Sequence, residues 1–205
     1  MDTYKLEELL SDAKETDDVI KNAVFTKEIY VGLNFSDVEF SSVVFDGCRF
    51  IECNFSRASF YSTEFSKCDI SNVSFKECYF RDSAIIGSKC DGAVFANGGF
   101  KNLRVEASSV SYANFSSCNF DSVSIKDTMA KEATFMRAKF KKCDFCNVNF
   151  TKSEFFKAYL VDADFSKSEI GGITLSDDLS ELKGAKISIH QAPEIAKMLG
   201  IRVCD

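Results

Sequence analysis

The sequence has no tryptophan, one histidine (His190) and one proline (Pro193) among its 205 residues. A single histidine leaves little from which to assemble an acid–base pair. There is also no glycine-rich phosphate loop and no group of acids at metal-ligand spacing. No enzyme activity, cofactor or metal is therefore expected. No stretch approaches the roughly 20 apolar residues of a membrane-spanning helix. The opening "MDTYKLEELLSDAKETDD" has neither the basic region nor the apolar run of a secretory signal. These features lead us to expect a cytoplasmic protein without membrane association. A basic surplus is missing too: the net charge is −6, and direct nucleic-acid binding is not expected. Nine cysteines, an odd number without an export signal, fit reduced thiols better than a disulfide framework.

What is present is phenylalanine, 21 residues of it. From residue 25 to 175, 20 of the 21 fall at positions divisible by five. The other occupants of those 31 positions are Tyr30, Ile70, Ile85, Cys90, Val105, Val110, Ile125, Ala130, Leu160, Ile170 and Leu175, so none is charged. Two places before each of these centre positions the residue is small or β-branched, as in Ala58, Cys68, Val73, Ala133 and Ala163, and only Glu28 is charged there. The two residues after each centre are mostly Ser, Asp, Asn, Gly or Lys, which favour turns.

A period of five suits neither a straight strand nor a helix, because the rings would alternate across the one and spiral around the other. The chain must turn after every pentapeptide. Strand alternation within each short side then puts the centre and the small residue two before it on one face, pointing inward.

Pentapeptides such as "CNFSR", "ASFYS", "CDFCN", "ANFSS" and "ADFSK" resemble those of the pentapeptide-repeat family, over about three quarters of the chain. The resemblance implies an all-β solenoid, a right-handed quadrilateral β-helix of about eight coils with Phe rings stacked along its axis; strand spacing makes such a rod about 37 Å long. Phe135, Phe140, Phe145, Phe150 and Phe155 are expected to belong to that core stack, with Phe155 directly over Phe135. Phe156, one place past a centre, should lie outside the coil.

Three regions follow. Residues 1–20 form an N-terminal cap, with a helix over residues 3 to 14 carrying Leu6, Leu9, Leu10 and Ala13 on one face. Residues 21–177 form the β-helix. Residues 178–205 form a C-terminal helix and strand: Pro193 stands in the helix's first turn, Ala192, Ile195, Ala196 and Leu199 share a face, and Gly200 ends it. "IRV" is then expected to be a short strand with Ile201 and Val203 on one side.

Six cysteines (Cys48, Cys53, Cys68, Cys78, Cys118, Cys143) occupy the small inward class, where a thiol acts as a small hydrophobe. For "CDFC", Cys143 and Cys146, this outweighs a metal or redox reading. His190 is placed at the start of the last helix, bonding an unpaired backbone group. The segment from Ile85 to Val110 loses most of its Phe, which makes it a thinner stretch or bend rather than a projecting loop.

Charge is uneven. Residues 1 to 20 hold seven acids and two bases, whereas residues 21 to 175 hold 19 of each. "SYANFSSCNF" and "HQAPEIAKMLGIRV" resemble the Qnr-type and MfpA-type pentapeptide-repeat proteins that protect DNA gyrase and topoisomerase IV from quinolones and related poisons. That resemblance implies a homodimer joined through Ile195, Leu199, Ile201 and Val203, forming a rod that engages the topoisomerase where DNA would bind. Two departures stand beside it: no side of the coil is strongly negative, and Arg137, Lys139, Lys141 and Lys142 form a local basic group. The alternatives are immunity against another gyrase-directed toxin, or a structural scaffold meeting an unrelated partner through Phe156 and Tyr159.

Overall fold

The computed structural model describes residues 6–16 and 18–204. A three-residue strand turns its middle side chain to one face and its neighbours to the other. Glu39–Ser41 thus buries Phe40, and Ser59–Tyr61 buries Phe60. The chain then turns at the second residue after each centre, where φ is positive in almost every repeat: Asn22 (54°), Arg57 (60°), Glu132 (55°) and Asp162 (64°) are examples. A left-handed residue with a Cβ costs about 1–2 kcal/mol, yet within the repeats only Gly32, Gly47, Gly87, Gly92 and Gly172 avoid that cost. Stacking between coils, not turn propensity, holds the corners.

Each repeat pairs in parallel with the one twenty residues later, as in Phe40↔Phe60 and Phe25↔Phe45. Four ladders result, one per side of a right-handed solenoid. The first side is a seven-stranded sheet from Ile20–Lys21 to Lys139–Lys141, and the Lys139↔Tyr159 bridge adds an eighth level. The second side is a seven-stranded sheet from Val24–Thr26 to Asp144–Asn149. Ile29–Val31 and Arg49–Ile51 open the third side, which continues as single bridges except where the ends of Ser124–Met129 and Asp144–Asn149 pair there, Thr128↔Val148 and Met129↔Asn149. The fourth consists of single bridges from Asn34↔Asn54 to Glu154↔Thr174. The in-phase pattern begins one repeat earlier than the Phe spacing indicates, because Ile20 is a buried centre paired with Phe40.

The core is a set of ring columns. Phe120 and Phe140 lie with centroids 4.6 Å apart and planes 1° from parallel. Phe155 lies over Phe135 at 5.0 Å and 11°. Rings within one coil meet edge to face, as Phe145 and Phe150 do at 77°. Offset stacking along the axis and edge contacts across it are the two arrangements that aromatic quadrupoles favour. Burial of each ring contributes roughly 1.5–3 kcal/mol.

The Phe-poor segment neither projects nor leaves the ladder: Ala84–Ile86, Gly99–Lys101 and Arg104–Glu106 pair in register with their neighbours. Its smaller centres instead leave an apolar cavity of about 20 Å³ between Ile85, Val105, Val110, Ile125, Ala130 and the surrounding Phe rings.

Both ends are closed. Helix α1 (Leu6–Thr16) buries Leu6, Leu10 and Ala13 at the N-terminal end; of the helix expected over residues 3 to 14, residues 3–5 lie outside the described residues. At the other end the last coil is enlarged, with Asp164 pairing to Lys186, twenty-two residues away rather than twenty. The extra length carries a 3₁₀ turn, Ser180–Leu182, where a first-side strand would otherwise run. Helix α2 (Ala192–Met198) follows, with Pro193 in its first turn and Gly200 left-handed just beyond it (φ 73°).

Candidate functional site

The thiols of the small inward class face the inside of the wall, and their role there is more polar than that of a small hydrophobe. Cys48 Sγ donates to the carbonyl of Phe25 (3.3 Å), Cys68 to Phe45 (3.2 Å) and Cys118 to Phe95 (3.0 Å). Ser83 and Ser88 hydroxyls make the same bond to Phe60 (3.2 Å) and Phe65 (3.0 Å). The hydroxyls also accept: Thr63 N–H donates to Ser83 Oγ, and Ser88 N–H to Ser108 Oγ. Corners after third- and fourth-side centres close by a backbone bond, such as Ala58 N–H to Phe55 (3.0 Å). Where that closure is absent, the side chain of the next coil supplies the partner that a buried N–H requires.

Cys143 and Cys146 do not converge. Cys143 points inward and donates to Lys141 (3.5 Å), whereas Cys146, one place past Phe145, is on the outer face. Among the described residues no group of His, Cys, Asp and Glu is placed to hold a metal. Burial pushes the Cys118 thiol up to about 12 and raises Cys78 well above its ordinary value, which keeps both protonated and unreactive.

At the C-terminal end, two polar side chains, the buried Glu181 and the half-buried Gln191, replace the missing next coil. In a regular coil Arg137 N–H donates to Phe156 C=O (3.0 Å). One coil later Lys157 N–H donates instead to Glu181 Oε1 (2.6 Å), which also accepts from Ser176 N–H (3.1 Å), while Oε2 accepts from Ser176 Oγ (2.7 Å). Burial pushes the Glu181 carboxyl up, but these hydrogen bonds outweigh it and hold it below its ordinary value. Gln191 does what was expected of His190: Nε2 donates to the carbonyls of Phe165 (2.9 Å) and Ser168 (2.6 Å), and Oε1 accepts from Ser188 N–H (2.6 Å). His190 is exposed, since the turn before α2 directs its neighbour, not it, at the coil end.

Of the four residues assigned to a dimer contact, the structure splits one from three. Ile195 is partly buried against the solenoid core. Leu199, Ile201 and Val203 are 52–56 % exposed. The strand expected at "IRV" is not formed: among the described residues 201–203 have no ladder partner, and Ile201 N–H donates to the Ala196 carbonyl (3.0 Å) at the end of α2.

On the outer wall Phe156 is partly exposed, with Lys157 Nζ 5.2 Å from its ring centroid, and Tyr159 is 60 % exposed on the first side. Among the described residues their rings do not pack against each other, since a corner separates them. Arg137, Lys139, Lys141 and Lys142 are all exposed on the coil beneath. The basic group and the pair Phe156 and Tyr159 are each legible in the sequence; that one row lies directly against the other follows from the twenty-residue pairing.

Two family profiles account for most of the repeat. "Pentapeptide repeat region" matches residues 58–135, and "Pentapeptide repeats (8 copies)" matches residues 34–76 and 133–172. The chain belongs to the pentapeptide-repeat family. Solved members similar to it include full-length QnrB1, described as a plasmid-mediated fluoroquinolone resistance protein, at 19 % identity and a TM-score of 0.46, covering 90 % of this chain and 100 % of that one. HetL, a pentapeptide repeat protein involved in heterocyst differentiation regulation from the cyanobacterium Nostoc sp. strain PCC 7120, is 12 % identical with a TM-score of 0.36, covering 91 % and 98 %. A pentapeptide repeat protein from the Arabidopsis thaliana thylakoid lumen is 17 % identical with a TM-score of 0.23, covering 66 % and 70 %. No curated protein matches the chain.

Proposed function

We infer that this pentapeptide-repeat chain is a non-catalytic binding protein that engages DNA gyrase or topoisomerase IV and protects it from quinolone-type or toxin poisons. The observation that carries this reading is the C-terminal end, where Leu199, Ile201 and Val203 are exposed beyond a capped coil in a segment whose sequence resembles Qnr-type chains. Burying them against a second copy would form a closed, two-fold contact and double the rod to roughly 75 Å at a strand spacing of about 4.8 Å. The neutral repeat region directs recognition towards shape and local contacts rather than a uniformly acidic surface.

The test is DNA supercoiling by gyrase with and without ciprofloxacin, at micromolar concentrations of the protein. Rescue of supercoiling, direct gyrase binding and loss of both on Ile201→Glu are expected. Failure of rescue and of binding would refute the assignment, while rescue from another gyrase toxin but not from the quinolone would narrow it to immunity. A second reading, a scaffold for an unrelated partner, is favoured by the exposed Tyr159 and, across the corner from it, the partly exposed Phe156. A pull-down that lacks topoisomerase subunits and loses its partner on Phe156→Ser would support that reading.

A further inference from the structure

The twenty-residue register turns two stretches of sequence into two adjacent rows on the rod. On the seventh coil, residues 136–142 present Arg137, Lys139, Lys141 and Lys142 to solvent. On the eighth, residues 156–162 present Phe156, Lys157, Tyr159 and Val161. Backbone bonds fix the pairing: Arg137 N–H to Phe156 C=O (3.0 Å), Phe140 N–H to Tyr159 C=O (3.1 Å) and Tyr159 N–H to Ala138 C=O (2.8 Å). A basic row therefore runs alongside an apolar row at the spacing of adjacent strands, about 4.8 Å. The sixth coil below is polar, with Ser117, Asn119 and Ser122, and its Asp121 is bound to Lys141 (3.3 Å).

Across these three rows five bases face two acids, Asp121 and Asp162, while the closing turn above carries Asp177, Asp178 and Glu181, in a chain whose net charge is −6. Arg137, Lys139 and Lys142 take part in none of the ion pairs seen among the described residues. Elsewhere on the rod charges alternate in sign, as in Arg57 with Asp37 and Arg49 with Asp69. Phe156, Tyr159 and Arg137 are of the types enriched at the centre of protein–protein contacts, and the lysines around them are of the charged kind that belongs to a polar rim.

We propose that this two-row patch is a docking surface for an acidic protein segment, whose carboxylates lie along the seventh coil and whose apolar side chain seats on Tyr159 and Val161, with Phe156 flanking across the corner. Charge complementarity selects this occupant. A polyanion such as single-stranded nucleic acid would share the lysines, but its long phosphate chain also meets the field of an acidic molecule. A segment with a few carboxylates and one apolar anchor stays within the patch. Its source need not be a topoisomerase.

The test uses the full chain and two fluorescent probes, a short peptide alternating Glu and Leu and an oligo-dT of similar length, read by anisotropy at low and moderate salt. The peptide is expected to bind in the micromolar range. Binding should weaken by about tenfold or more on R137E/K139E/K141E, and severalfold when salt rises from about 0.05 to 0.3 M. Tyr159→Ser removes only an outward ring, so it should weaken the peptide without altering the circular dichroism or the salt dependence. Three outcomes would each overturn the proposal: no peptide binding below millimolar, tighter binding of oligo-dT than of the peptide, or charge reversal that changes self-association instead of peptide affinity. Gyrase protection is read separately, so either result leaves the other standing.

Discussion

Filling the cavity in the Phe-poor segment should stabilise the rod, and Val110→Ile is the substitution to make. Val110 is a buried third-side centre lining the cavity, and its added methylene would extend towards the axis. A buried methylene contributes about 0.8 kcal/mol. Eliminating a void of about 20 Å³ adds about 0.5 kcal/mol at roughly 24 cal/mol per Å³. The expected gain is therefore about 1.3 kcal/mol, or a rise in Tm of about 3–5 °C for a chain of this size. Urea and thermal melts followed by far-ultraviolet circular dichroism would measure it. The control is Val73→Ile, a residue also fully buried but outside the cavity lining. There the same methylene has no space, and overpacking should cost about 1–3 kcal/mol. If Val110→Ile gains nothing, or if both variants gain alike, the void is closed in solution and the segment is not a thin core.

Four further outcomes are expected. Glu132→Gly, at a left-handed corner, should stabilise by about 0.5–1 kcal/mol once glycine's greater unfolded freedom is set against the relief of strain. Gly92→Ala should destabilise by about 1 kcal/mol, since Gly92 is left-handed (φ 67°) and an added Cβ is strained there, besides displacing the Asn72 side chain; equilibrium urea melts compare the two. Glu181→Ala should leave Lys157 N–H without an acceptor and cost about 1–3 kcal/mol. Because the Glu181 carboxyl is held below its ordinary value, its contribution should be complete above about pH 4.3 and lost as pH falls through the folded value. A pH series of melts in which wild type and variant differ equally at pH 3 and pH 7 would contradict this. In native buffer a thiol reagent should modify Cys204 quickly, and Cys78, Cys90 and Cys118 only after unfolding; fast reaction at any of the buried three would mean that the wall opens.

The part of the fold legible in the sequence is the part that one physical requirement writes repeatedly. Each centre from Phe25 to Ile170 must fill the axis, so its class is visible without any structure. Ile20 escaped notice because a lone isoleucine does not announce a phase. The C-terminal closure was hidden for a different reason. Glu181 and Gln191 each act once, on backbone groups from other coils, and nothing periodic marks them. Likewise the hydrogen bonds of Cys68 and Ser88 look, in sequence, like small inward residues, since the acceptor lies twenty-three residues earlier. The candidate site was the least legible. Arg137 and Phe156 become neighbours only when coils are stacked, and the lack of a strand at residues 201–203 depends on what is available to pair with.

The uniform offset of twenty residues makes the rod act as a rotary register. An insertion of five residues at a corner, for instance after Asn72, would leave every later side chain as inward or outward as before. It would nonetheless turn the whole C-terminal part by a quarter turn about the axis relative to helix α1. A second such insertion would carry the basic and apolar rows to the opposite side, and four would return them to their original bearing, one strand spacing further along. Length changes in multiples of five are thus a route by which chains of this kind re-aim a surface without redesigning a core, whereas an insertion of one or two residues is tolerated where it occurs here, at the closing coil.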